Sequence, residues 1–201
     1  MNYTIKGISI NELEQFITQS GFPKYRAHQI YNWLYKQGTH DIQCMNNLSN
    51  DLQSFLIDNT VANTLTLFKQ VECDNTIKFL FKTKIGQYIE SVSMIEDNKH
   101  TICLSSQVGC SLDCDFCATG KMGFINNLST GEIIDQLLFI KNNVKLPITN
   151  IVFMGMGEPF LNYNNVINAA KLMNDSAGLN FGANRITIST AGIIPKINQF
   201  I

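Results

Sequence analysis

The chain has 201 residues, 45% of them hydrophobic, and a net charge of −1, which fits one globular domain with an appendage. No run of about 18 uncharged apolar residues occurs, so a membrane span is excluded, and the charge balance gives no overall footprint for nucleic acid. The N-terminal Met1-Asn-Tyr-Thr-Ile-Lys6 lacks the apolar core of a secretion signal, so a cytoplasmic location is expected.

The first ~60 residues read as a small helical unit. Ser9 and Glu12 form a capping box ahead of Leu13, Phe16 and Ile17, and Gly21 ends that helix. Pro23 opens a second helix with Ala27, Ile30, Tyr31 and Leu34 on one face, stopped at Gly38. A third helix runs from Ser49, with Leu52, Phe55 and Leu56 facing in. Residues 61–95 change to a period of two: Ile77, Phe79 and Phe81 alternate with Lys78, Leu80 and Lys82, and Asp74-Asn75 and Lys84-Ile-Gly86 read as turns. This stretch is expected to be a short antiparallel β linker. Lysines 69, 78, 82 and 84 outweigh Glu72 and Asp74 there, and Lys6, Lys24, Arg26 and Lys36 outweigh Glu12 and Glu14 in residues 1–40; charge alone reads both as solvated faces.

Residues 96–201 alternate between strand and helix. Strands are expected at Thr101–Ser105, Asn150–Met154 and Arg185–Thr190. Ser129 and Glu132 cap an intervening helix carrying Ile133, Ile134, Leu137, Leu138 and Ile140, and a second runs from Asn164 to Asn174. Such βα alternation implies a parallel sheet with its chemistry on the loops after the strands. Three strands make a poor closed domain, and Pro195-Lys-Ile opens a further helix just before Ile201, so a piece of a larger barrel is expected.

The loop after the first of these strands holds Cys110, Cys114 and Cys117 in a C-x3-C-x2-C spacing. In a reducing compartment such a cluster points to a metal or to catalysis. A closed structural site wants four ligands, whereas a cluster held by three thiolates leaves one iron open to a ligand that is not protein. Phe116, beside the last thiol, would shield the group from water. Zinc, with Cys103 or His100 as fourth ligand, is the alternative reading. Gly155-Met-Gly157-Glu158-Pro159 follows the second strand; its glycines would let backbone approach a ligand, and Glu158 could receive an ammonium, although a plain strand-to-helix turn explains it about as well.

Together the two motifs resemble the radical S-adenosylmethionine enzymes. Cys103-Leu-Ser-Ser-Gln-Val-Gly-Cys110, Cys114-Asp-Phe-Cys117-Ala-Thr-Gly120, Arg185-Ile-Thr-Ile-Ser189-Thr190 and Tyr25-Arg26…Ile30…Trp33-Leu34-Tyr35 are similar to the RlmN/Cfr subfamily, with Pro159 leaning toward its RlmN branch. The resemblance implies an α/β fold: a partial (β/α) barrel, truncated here after about three strands, behind a helical N-terminal domain and a β linker. It implies a [4Fe-4S] cluster on Cys110, Cys114 and Cys117, and S-adenosylmethionine bound by Gly157, Glu158 and Ser189.

The activity implied is methylation of carbon 2 of an adenine in 23S ribosomal RNA and in transfer RNA. It uses two S-adenosylmethionine molecules per turnover. One methylates a cysteine; the other is cleaved to a 5′-deoxyadenosyl radical that activates the S-methyl group. Cys103 corresponds to the resolving cysteine and Glu90 to the general base. On the residues alone, Cys103 reads equally as a buried strand thiol, Glu90 as a surface carboxylate and Ser189 as a strand-end serine. Flavodoxin or ferredoxin would supply electrons, and a monomer is expected. The sibling activity at adenine carbon 8, and a non-catalytic RNA-binding fragment holding iron–sulfur or zinc, remain open alternatives. The methyl-accepting cysteine of the subfamily lies C-terminal to Ile201, so this stretch alone is expected to be inactive. Asn126 stands where a basic residue is expected, and Cys44 and Cys73 match no subfamily position and are expected to be structural. Residues 1–60, with Tyr31, Trp33 and Tyr35, are expected to face RNA, although Trp33 also reads as core.

Overall fold

A computed structural model describes residues 2–201. The helical unit comprises β1 (Tyr3–Thr4), α1 (Ile10–Gln19), α2 (Tyr25–Tyr31), α3 (Asn50–Asn59) and β2 (Thr60–Val61), with β1 and β2 paired in parallel. The expected capping box is present: Ser9 Oγ accepts from Glu12 N while the Glu12 carboxylate accepts from Ser9 N at 2.7 Å. Leu13 and Ile17 are buried beneath it. The second helix continues past Tyr31 as a π-helical turn over Asn32–Lys36, which keeps Leu34 and Tyr35 in the core.

The rest is a six-stranded sheet, a separate two-stranded hairpin, and their helices. It contains β3 (Leu65–Cys73), β4 (Thr76–Thr83), β5 (Tyr88–Glu96), β6 (Lys99–Cys103), β7 (Gln107–Gly109), α4 (Ala118–Lys121) and β8 (Phe124–Asn127). These are followed by α5 (Thr130–Asn143), β9 (Asn150–Phe153), α6 (Tyr163–Asn174), β10 (Ile186–Ile188) and α7 (Ile194–Phe200). The main sheet has the order β10-β9-β6-β5-β4-β3, and β7 and β8 form the separate hairpin. β6, β9 and β10 are parallel, and β3 to β6 form an antiparallel meander. The strands expected as a linker are therefore hydrogen-bonded into the same sheet as the barrel strands. Pairing partners are set by contacts distant in sequence, which a local period cannot reveal.

Register divides the sheet into two faces. Phe79, Phe81, Ile89, Ile102, Ile151 and Phe153 are buried and form one core with Ile133, Ile134, Leu137, Leu138, Val166 and Met173 of α5 and α6. Phe139 sets its ring edge-on to Phe79 and Phe81 at 5.9 and 5.2 Å. The opposite face carries Leu80, Glu90, Val92, Met94, Thr101, Cys103, Val152 and Thr187, none of them fully buried.

The helical unit docks on α5 through polar anchors set in apolar surroundings. Lys6 Nζ lies 3.4 Å from Asp135 Oδ1, with the lysine side chain 1% exposed. Asp135 Oδ2 accepts from both the backbone N–H and the hydroxyl of Thr64. Burial pushes the Lys6 ammonium below its ordinary value, and Asp135 opposes that shift. Tyr31 donates to Asp175 Oδ2 at 2.6 Å, and Tyr35 accepts from Gly7 N and donates to Ile8 O. Tyr31 and Tyr35, expected among the RNA-facing rings, are thus buried anchors, because their hydroxyls find partners on the barrel side and on the chain before α1. Trp33 is half-buried, its Nε1 donating to Asn47 Oδ1. Removing one partner of a buried ion pair leaves a charge without compensation. Lys6→Met should therefore lower stability by about 3–5 kcal/mol, and the Lys6→Met/Asp135→Leu pair by clearly less, as read from urea unfolding midpoints.

Candidate active site

The three parallel strands end at one edge of the sheet, and the loops that follow them are knitted together. Gly155 N donates to Leu104 O, and Ser106 N and Gln107 N both donate to Met156 O. Met156 N donates to Ser105 Oγ at 2.8 Å, and Ser105 Oγ donates to the Glu90 carbonyl. From beneath, the buried Gln136 amide of α5 accepts from Ser105 N and Ser91 Oγ and donates to Ser105 O. Gln107 accepts from Glu158 N and donates to Asn127 Oδ1, and Asn162 donates to Ser106 O and Leu128 O.

Ser105, Gln107, Gln136 and Asn162 were not singled out by sequence reasoning. The available signal was a pair of polar residues, Asp135 and Gln136, inside an otherwise apolar helical stripe. Buried polar side chains of that kind need partners.

Gly157 has φ +95°, and a Cβ there would run into the side chain and backbone of Gln107. In this structure the glycine admits the neighbouring loop. Glu158 is 4% exposed, with Oε1 accepting from Phe160 N at 2.9 Å and Oε2 from Ala191 N at 2.8 Å. The carboxylate expected to receive a ligand ammonium is therefore engaged first as a clamp between the loops after β9 and β10. Its amide analogue would set an NH2 against a backbone donor. Glu158→Gln should cost about 1–3 kcal/mol and accelerate hydrogen exchange at Ala191 or Phe160, with the amides of β5 unchanged. Ser189 follows β10 with its side chain exposed and its N–H directed to Phe153 O at 3.4 Å.

The cysteine loop is the tip of a β-hairpin. β7 and β8 pair antiparallel, and Cys110 N donates to Gly123 O at 3.1 Å. Gly109 closes this foot at φ +73°, where a Cβ would overlap the Gly123 carbonyl. Cys110 is buried, and Cys114 and Cys117 are partly exposed; all three are free thiols. Backbone N–H groups of Gly120 and Thr119, with the Thr119 hydroxyl, pull the Cys117 thiol below its ordinary value against a small opposing effect of burial. Three soft donors on one short loop, one of them biased toward thiolate, suit an iron–sulfur cluster. As folded, the loop does not gather them: among the described residues no three His, Cys, Asp or Glu side chains are placed to hold a metal ion. Phe116 is 93% exposed and so does not shield the loop as expected.

Cys103 ends β6 on the open face, directly across from Val92. Glu90, two residues from Val92 on the same face, is therefore its diagonal neighbour, at about 7–8 Å by sheet geometry. Lys78 Nζ stands 3.4 Å from Glu90 Oε2. Burial pushes the Cys103 thiol up, partly offset by the Met154 N–H. His100, three residues before Cys103, lies on the helix-covered face, its ring nitrogens bonded to Ser93 Oγ and Leu146 O, so it is not available as the fourth ligand of a zinc site. Cys44 and Cys73 are both exposed, not packed. These shifts predict an order of thiol titration: alkylation of Cys117 should reach half its plateau rate at a lower pH than that of Cys103, as followed by mass spectrometry of the reduced protein.

Comparison with known proteins agrees with this architecture. Residues 104–200 match the family model "Radical SAM superfamily" and residues 3–61 match "Ribosomal RNA large subunit methyltransferase N-terminal domain". The dual-specificity RNA methyltransferase RlmN of Geobacter sulfurreducens is 42% identical over 196 residues, covering 97% of this chain and 54% of that protein. A relative from Cytophaga hutchinsonii, named a probable dual-specificity RNA methyltransferase RlmN, is 44% identical over 200 residues, covering 97% and 55%. A crystal structure of a radical SAM methyltransferase from Sphaerobacter thermophilus superposes with a TM-score of 0.95 at 39% identity, covering 98% of this chain and 60% of that one. The chain spans about half the length of the curated relatives it matches. The thiol-bearing loop on the first of three parallel βα units defines a radical SAM fold. Within that class the chain is similar to the RlmN methyltransferases over nearly its whole length.

Proposed function

We propose that the protein acts in methylating carbon 2 of an adenine in 23S ribosomal RNA, and in transfer RNA, by radical S-adenosylmethionine chemistry. The observation that carries this reading is the placement of Cys103 and Glu90 as diagonal neighbours on the open sheet face, at the strand ends from which the cysteine loop and the Gly157–Glu158 loop emerge. Cys110, Cys114 and Cys117 would hold a [4Fe-4S] cluster, and Gly157, Glu158 and Ser189 the amino-acid end of S-adenosylmethionine. When bound, these groups supply the electron and the carbon radical that an electron-poor adenine carbon requires. Cys103 serves as the resolving thiol: once the ring proton is lost, its sulfur attacks the sulfur of the methyl-bearing cysteine, which the family resemblance puts C-terminal to residue 201. The S–S bond forms as the bond from that sulfur to the transferred carbon breaks, and the carbon keeps the electron pair and takes up the proton that Cys103 gives up, becoming the methyl group. Burial keeps Cys103 protonated until then, guarding it from premature oxidation. Glu90 takes the ring proton from the adenine while it is still joined to the methyl-bearing cysteine, and Lys78 holds its carboxylate in place. Flavodoxin or ferredoxin would deliver the electrons, in the cytoplasm.

The reading is tested by mass spectrometry of ribosomal and transfer RNA from cells with and without the gene. Loss of 2-methyladenine on deletion is the expected result, restored by the gene but not by its Cys103→Ala or Glu90→Gln forms. An unchanged 2-methyladenine level overturns it, and loss of 8-methyladenine instead would assign carbon 8.

A further inference from the structure

The face that carries Glu90 and Cys103 continues outward across β4 and β3, and there its character changes from apolar to basic and aromatic. Lys78 lies across from Val92, which lies across from Cys103, so one cross-strand row joins them. With neighbouring strands about 4.8 Å apart, Lys78 begins about 10 Å from the thiol-bearing strand. Lys82 stands across from Tyr88 on the same face. On the edge strand, β3 breaks register between Leu67 and Lys69, and this bulge lets Phe68 and Lys69 present themselves in succession. The Phe68 ring meets Tyr88 edge-on at 4.9 Å, and the two remain 60% and 38% exposed.

The face therefore shows three exposed ammonium groups, Lys69, Lys78 and Lys82, an exposed aromatic pair, and two carboxylates: Glu90, already beside Lys78, and Glu96, at the far end of β5 across from Lys99. Glu72 falls on the other register, across from Ile77. A cationic track with stacking rings is the chemistry that holds a single-stranded nucleic acid: ammonium groups follow the phosphates while rings stack on the bases. By contrast, the helical unit buries Tyr31 and Tyr35 and pairs Lys24 with Glu14 at 2.9 Å.

We infer that the open face of β3 to β5, through Lys69, Lys78, Lys82 and the Phe68–Tyr88 pair, is the surface that carries a single-stranded segment of RNA to Glu90 and Cys103. This deepens the RNA-methylating reading and rests on it. The charge complementarity is local, which is why a net charge of −1 hides it.

The test is fluorescence anisotropy of a short unstructured, fluorescein-labelled RNA with the purified chain, over a series of salt concentrations. Each phosphate contact on a single strand contributes about 0.7 to the slope of log K against log salt. Lys69→Ala/Lys78→Ala/Lys82→Ala should therefore reduce the slope by about 2. Tyr88→Ala should weaken binding about 5- to 150-fold, the equivalent of one stacked base. Lys24→Ala/Lys36→Ala, on the helical unit, serves as the matched control and should change neither. All of these side chains are exposed or partly so, and circular dichroism checks that the variants are folded. A slope lost with the helical-unit pair and kept with the sheet triple overturns the inference while leaving the RNA reading standing. Absence of any RNA binding by the unaltered chain overturns both.

Discussion

Strand register across the six-stranded sheet is the constraint on which everything else rests. Side chains alternate strictly along each strand, so burying Phe79, Phe81, Ile89, Ile102, Ile151 and Phe153 under α5 and α6 sends Leu80, Glu90, Val92, Cys103 and Val152 to the other face. A slip of one residue in β6 would exchange Cys103 for Ile102, burying the thiol and exposing a core residue. The hydrophobic core and the reactive face are two readings of one pattern, so the position of Cys103 is enforced by apolar side chains that never approach a ligand.

The loops at the strand ends obey a second constraint, the satisfaction of buried polar atoms. Gln136, Asn162 and Glu158 are buried and would be costly if left unpaired. Each instead spans two segments distant in sequence, and among the described residues no buried side-chain nitrogen or oxygen lacks a partner. The glycines at 109 and 157 belong to the same arrangement, because both lie where a neighbouring loop comes too close for a side chain.

What could be read from the sequence was local. The capping boxes at Ser9–Glu12 and Ser129–Glu132 need only three residues of separation, and both are present. The alternation at Ile77–Phe81 and the strand after residue 149 lie where periodicity puts them. The cysteine spacing and the Gly155–Pro159 segment identified the class because their residue types are uncommon in that order. What failed was non-local. The meander over residues 65–96 continues the barrel sheet, which depends on pairing β5 with β6 and β6 with β9. The buried Lys6–Asp135 pair joins positions far apart in the chain and carries no local signature. Tyr31, Tyr35 and Phe116 were assigned by residue type, and for aromatic residues type alone does not separate anchor from surface. The basic stretch at 69–84 was visible as composition, but that its lysines share the face of Cys103 follows only from register.

The hairpin foot beneath the cysteine loop has a consequence for how freely that loop can vary. Pairing of Gln107 with Asn127, Val108 with Asn126 and Gly109 with Phe124 brings the loop ends together independently of whatever the thiols later bind. The entropy of closing the loop is thereby met by backbone pairing during folding, and ordering the tip becomes a local event that leaves the main sheet undisturbed. Since doubling the length of a flexible loop costs only about 0.6 kcal/mol, the segment after the last thiol could lengthen or shorten at little thermodynamic penalty, while the spacing between the thiols stays fixed by the group they would share. Change in length would then be absorbed beyond the thiols, while Gly109 at the base of the hairpin stays under a tight steric limit.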